Sequence, residues 1–133
     1  MNLIDAMIER PGDTSTSVKL RSGMVVETAV DARAARAGDA VTLGIRPEDL
    51  ALTSGERGIG ATIALVEWLG NMRFAYLTTD VSDEPLVMQL AADQRFHEGQ
   101  QVSVSPDSRN CHLFDAAGAA FDRPARPPGS LAA

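Results

Sequence analysis

The sequence predicts an all-β fold, a small barrel or sandwich of short strands with little helix. Three observations carry this expectation. Apolar residues fall into about nine short runs, separated by turn signals roughly every 8–12 residues. Only one stretch, residues 29–37, is rich in helix formers, and it is too short to hold a helix by propensity alone. Two longer apolar runs, 59–68 and 72–79, are joined by Leu69, Gly70 and Asn71, a short turn that reads as a hairpin. At 133 residues the chain has the length of one domain.

Taken in order, residues 1–8 form the first expected strand, closed by Pro11, Gly12 and Asp13 and by the polar run 14–17. Val18, Lys19 and Leu20 face Met24, Val25 and Val26 across Ser22 and Gly23, a second hairpin signal. The alanine-rich stretch 29–37 reads equally as a loop or one ragged turn. Residues 41–45 form a strand that must stop at Arg46, because proline follows and cannot donate to a ladder. Pro47 suits the first position of a helical turn, and Glu48 and Asp49 sit where that end favours acids. Residues 47–50 are therefore one turn, and 51–53 an extended piece. The run 59–68 is apolar on both faces, so it is expected to be covered on both sides, with Trp68 either in the core or an interface anchor. Gly70 and Asn71 serve turn geometry. After the polar loop 80–85 come strands at 86–90, around Val102 and Val104, and at 111–114. Composition changes after Phe121. Residues 1–122 are read as the domain, and 123–133, which hold Pro124, Pro127 and Pro128, as a disordered or loosely laid tail.

Composition narrows the function. The net charge is −6 and only Lys19 is a lysine. An acidic chain is repelled by phosphate backbones, and its rings are too few and scattered to stack bases, so each ring is read as core. Nucleic acid is thus not an expected partner. Cys111 is the single cysteine, which leaves no intramolecular disulfide and favours a cytosolic setting. No apolar run approaches the ~20 residues that span a bilayer.

Catalytic patterns are missing. A phosphate-cradling P-loop ends in Gly-Lys-Ser/Thr, and Lys19 lies between Val18 and Leu20. No Gly-x-Ser-x-Gly elbow occurs. Cys111 and His112 are neighbours, so on a strand they point to opposite faces and cannot share a metal. No catalytic and no metal-ligating residue is assigned. What remains is Gly-Ile-Arg-Pro-Glu-Asp-Leu at 44–50, a charged knuckle in which Arg46 is expected to pair with Glu48 and to face a partner.

That heptapeptide resembles the hallmark segment of the C-terminal regulatory domain of ATP-binding subunits in bacterial ABC sugar importers of the maltose and glycerol-3-phosphate type, a domain of the transport-associated OB kind. Three further segments agree in order: Met-Asn-Leu-Ile at 1–4, Val-Glu-Trp-Leu-Gly-Asn at 66–71, and the closing run 96–121 with Asn-Cys-His-Leu-Phe-Asp at 110–115. The resemblance implies an OB-like β-barrel. It also implies a regulatory and dimerisation role: two copies tether two ATPase subunits and offer a surface to a regulatory protein or small-molecule effector. The membrane subunits would be indirect partners, and the setting cytoplasmic, at the inner face of the membrane. Arg46, Glu48 and Trp68 are the interface candidates, and Pro47, Gly70 and Asn71 the structural turn residues. No cofactor is expected in this chain; ATP and magnesium would bind an ATPase domain elsewhere in the parent protein. The alternative is a barrel that binds a small ligand or oxyanion.

Overall fold

The computed structural model describes residues 1–54 and 58–123. Ten strands run in order: β1 (Asn2–Arg10), β2 (Thr16–Leu20), β3 (Val25–Thr28), β4 (Ala40–Ile45), β5 (Leu50–Leu52), β6 (Ile59–Leu69), β7 (Met72–Thr79), β8 (Leu86–Leu90), β9 (Gln101–Pro106) and β10 (His112–Phe114). They form two antiparallel five-stranded sheets, ordered β10-β4-β1-β2-β3 and β5-β9-β6-β7-β8. Among the described residues the helical parts are single 3₁₀ turns at Pro47–Asp49 and Ser108–Asn110. The all-β expectation holds, with two barrel-like sheets sharing one aliphatic core.

Period-2 patterning pins the register. Along β1, Asn2, Ile4 and Ile8 are buried while Leu3, Asp5 and Met7 face out. Ile4 pairs with Leu43, and Leu43 with Leu113, so three inward residues make one core row. In the second sheet Ile63, Leu77 and Leu86 make the matching row. A one-residue slip would turn each row out to water, so burial itself fixes the pairing. Asn2 joins the sheets. Its side-chain amide donates to the Val87 carbonyl (2.9 Å) and accepts from the Val87 N–H (2.7 Å), capping the free edge of β8 as a neighbouring strand would.

Several expectations need correction. The strand after the first turn begins at Thr16, not Val18. Thr16 and Thr28 are buried, and their hydroxyls donate to the carbonyls of Val30 (2.9 Å) and Thr16 (2.8 Å), which makes two polar residues fit for the interior. Residues 29–37 need no correction: they form a loop with turns, because their backbone donors are drawn to distant acceptors, Ala29 to Ser108, Asp31 to Asp122 and Ala32 to Gly12. None of the six rings is fully buried; the core is aliphatic, and Phe96 and Phe121 pack at its margin.

The largest correction concerns β6. Its register against β7 shifts between Ile63 and Leu65, where both strands' pairing makes Ala64 an extra residue. Such a bulge swaps the faces. Ile63 is buried and Leu65 is exposed, although two-residue spacing put them on one side. Beyond the bulge Val66, opposite buried Ala75, still touches the core, and the hairpin leaves it only at the tip. Trp68 is 67% exposed and Leu69 55%, so the strand is not covered on both sides and Trp68 is not a core residue. The proline-rich segment from 124 onward lies outside the described residues.

Candidate functional site: the Arg46 knuckle and the Trp68 hairpin

The knuckle is anchored at both ends. Ile45 and Leu50 are buried, so the residues between them are driven outward. Arg46 is extended (φ −74°, ψ 151°), as the residue before proline must be. The N–H of Asp49 donates to the Arg46 carbonyl (2.9 Å) and closes the turn. Gly44 precedes it for a steric reason. A Cβ there would lie 2.7 Å from Met1 Sδ and 2.9 Å from Phe114 Cε2, inside van der Waals contact.

Arg46 and Glu48 are both exposed, and they form no ion pair. The pairs among the described residues are Lys19–Glu9, Arg21–Asp83, Arg33–Asp31 and Arg109–Asp107. The expected Arg46–Glu48 pair is corrected for a local reason: Arg46 is extended while Glu48 sits within the turn, and Arg46 lines a pocket with Asp49 instead. That pocket, of about 190 Å³, is completed by Asn110, His112 and Arg123. The Asp107 N–H donates to the Asp49 carbonyl (2.9 Å), tying the Ser108–Asn110 turn to the knuckle. Asp107 in turn accepts from the Arg109 N–H (3.0 Å), and hydrogen bonds from Arg109 hold its carboxyl below the usual carboxylate range.

Arg123 packs back on the barrel. It donates to the carbonyls of Arg109 (3.0 Å) and Cys111 (3.2 Å), and its Nη2 lies 3.0 Å from His112 Nε2. Burial first, then the charges of Arg123 and Arg46, lower the His112 pKa and favour neutral imidazole. Cys111, on the opposite face, is buried, and desolvation pushes its thiol up to about 12. Sequence reasoning missed Asn110, His112 and Arg123 as pocket residues; isolated bridges (Asp31 with Asp122, Phe114 with Ala120) and the hydrogen bond that the Phe121 N–H donates to the Leu113 carbonyl bring Arg123 there, and nothing local in the sequence announces them. Among the described residues no cluster of three or more His, Cys, Asp or Glu is arranged for a metal.

The second surface is the β6–β7 hairpin tip. Leu69 pairs with Met72 around Gly70 and Asn71, and Gly70 alone has positive φ (65°), the pattern of a turn with glycine first. Trp68 lies opposite Arg73, whose guanidinium stacks on the indole 5.0 Å from its centroid. Arg73 also donates to the carbonyls of Ala91 (2.7 Å) and Gln94, which fixes the tip against the next loop. Leu65, Trp68, Leu69 and Met72 together leave an apolar, half-rigid tip in water. Among the described residues no helix is long and apolar enough to cross a membrane.

Comparison with known proteins places this geometry. A family model described as the TOBE domain matches residues 43–114, and one described as the MalK OB fold domain matches 1–50. Both cover the knuckle. The alpha-glucoside transport ATP-binding protein AglK of Rhizobium meliloti is 32% identical over 122 residues, 91% of this chain and 33% of that protein. The maltose/maltodextrin import ATP-binding protein MalK of Aliivibrio fischeri is 30% identical, over 92% of this chain and 34% of its own. The sn-glycerol-3-phosphate import ATP-binding protein UgpC of Salmonella choleraesuis is 36% identical, over 86% and 31%. The chain thus spans about a third of the length of these relatives. Among solved structures, the cytoplasmic molybdate-binding protein ModG superposes with a TM-score of 0.70 at 13% identity, over 84% of this chain and 94% of that one, a likeness of fold. With its family model matched from the knuckle through β10, the chain belongs to the TOBE domain family.

Proposed function

We propose that this chain is the non-catalytic regulatory and dimerisation domain of an ATP-binding subunit of an ABC importer for sugars or related solutes. One observation carries the reading: nine-tenths of the chain aligns with a third of the length of importer ATP-binding subunits. The sequence lacks a P-loop, so ATP and magnesium belong to the ATPase domain of the parent protein, which is this domain's first partner. A second copy is the other, since a two-fold contact needs one self-complementary patch rather than a catalytic set. The apolar hairpin tip supplies such a patch, and the knuckle, with Arg46 and Glu48 both exposed, offers a polar surface to a regulator. The complex would sit at the inner face of the membrane, with residues 1–122 as its folded unit. A second reading, a barrel that binds a small ligand or oxyanion, is favoured by one observation: Arg46 and Arg123 line the same pocket, and among the described residues neither is paired with a carboxylate.

Calorimetry with ATP and light scattering of the purified chain test the first reading. Concentration-dependent dimers and no heat with ATP are expected. Tight ATP binding by the 133-residue chain would contradict it.

A further inference from the structure

The pocket between the knuckle and the Ser108–Asn110 turn has no role in a purely tethering domain. Its lining is polar, from Arg46, Asp49, Asn110, His112 and Arg123. Formal charges there sum to one positive, in a chain whose net charge is −6. The positive groups are held in place by different means. The Arg46 backbone is set by the buried Ile45 before it and Pro47 after it, and its exposed side chain reaches the pocket from that position. Arg123 is fixed by two backbone carbonyls and stays beside His112. Asn110 projects from a turn capped by Asp107, to which its amide donates (3.3 Å). The space of about 190 Å³ equals about six waters at ~30 Å³ each, enough for a five-atom oxyanion with its substituent.

We propose that this pocket binds a phosphate group, as the free ion or a small phosphomonoester, between Arg46 and Arg123, with Asn110 and His112 as hydrogen-bond donors. Guanidinium forks match the geometry of such oxygens. Asp49 opposes the anion: its carboxylate repels negative charge and lowers the affinity that the two arginines supply. This inference rests on the second reading above and is independent of dimerisation.

Nuclear magnetic resonance on the labelled 133-residue chain tests it, with inorganic phosphate titrated against chloride at constant ionic strength. The chain has two histidines, so His97, whose ring contacts the Glu98 carbonyl in another loop, is an internal reference. Saturable shifts at His112 and Asn110 but not at His97 are expected. Arg46→Gln should weaken binding about tenfold, and Asp49→Asn should tighten it. Arg123→Gln is the second variant, and unchanged amide spectra elsewhere show that each is folded. Repeating the titration with glycerol phosphate separates the free ion from the ester. Saturable binding that maps elsewhere, or that ignores Arg46→Gln, overturns this site while leaving the ligand-binding reading intact. Shifts that never saturate with either probe overturn both.

Discussion

Asn2 is the residue on which the closure of the two sheets turns. Its amide satisfies both backbone groups of Val87 from 85 positions away. Asn2→Ala leaves a part-buried N–H and C=O unpaired, and about 2 kcal/mol of stability should be lost in urea unfolding. Nothing in the sequence marks this role. An asparagine inside an apolar run reads as an interruption, and its partner is visible only once the strands are placed. Cys111 gives a second test at this scale. Its folded thiol titrates near 12 against 9.0 for the free group. A pKa raised in the fold contributes stability that is fully present below about 9 and lost as pH rises toward 12. Relative to Cys111→Ala, the parent chain should therefore lose stability above about pH 9, and thiol reagents should label it only after denaturation. That Cys111 and His112 point to opposite faces was legible from strand alternation, because that rule needs no partner. The pocket role of His112 was not, because it depends on Arg123, whose neighbour Pro124 made the segment read as tail.

At the scale of elements, the turn geometry of the knuckle and of the hairpin was legible from local chemistry, whereas the expected Arg46–Glu48 pair is not formed. Proline dictates the geometry at 46–47, and glycine that at 70. The bulge in β6 was not legible. Ala64 is neither glycine nor proline, and the register shift is imposed by pairing with β7. The same shift explains why Trp68 is outside. Two substitutions separate geometry from interface here. Gly70→Ala forces a side chain into φ +65° and should cost about 1–2 kcal/mol without altering the exposed tip. Trp68→Ala should change stability by no more than about 1 kcal/mol, since the indole's described partner is the exposed stack on Arg73, yet should weaken self-association markedly. If unfolding shifts and association does not, the tip is structural. Arg46→Ala is expected to leave the melting temperature unchanged, because no ion pair with Glu48 exists to lose.

For the molecule as a whole, the sequence carried the all-β class because short apolar runs between turn residues leave no room for helices. It left barrel and sandwich unresolved, since strand order follows from long-range pairing such as β1 between β4 and β2. Family membership was legible from the 44–50 heptapeptide, which the structure shows to be a surface knuckle rather than a core motif. What unites the scales is an aliphatic core that presents two projections, one polar and one apolar, with no catalytic set identified in the sequence. The single tryptophan lies on the apolar projection, so its emission is a direct probe of the proposed contact. Sedimentation equilibrium over a micromolar-to-millimolar series of the purified chain is the most direct test. The account predicts a reversible monomer–dimer equilibrium that Trp68→Ala shifts toward monomer. A chain that stays monomeric at every concentration would contradict it.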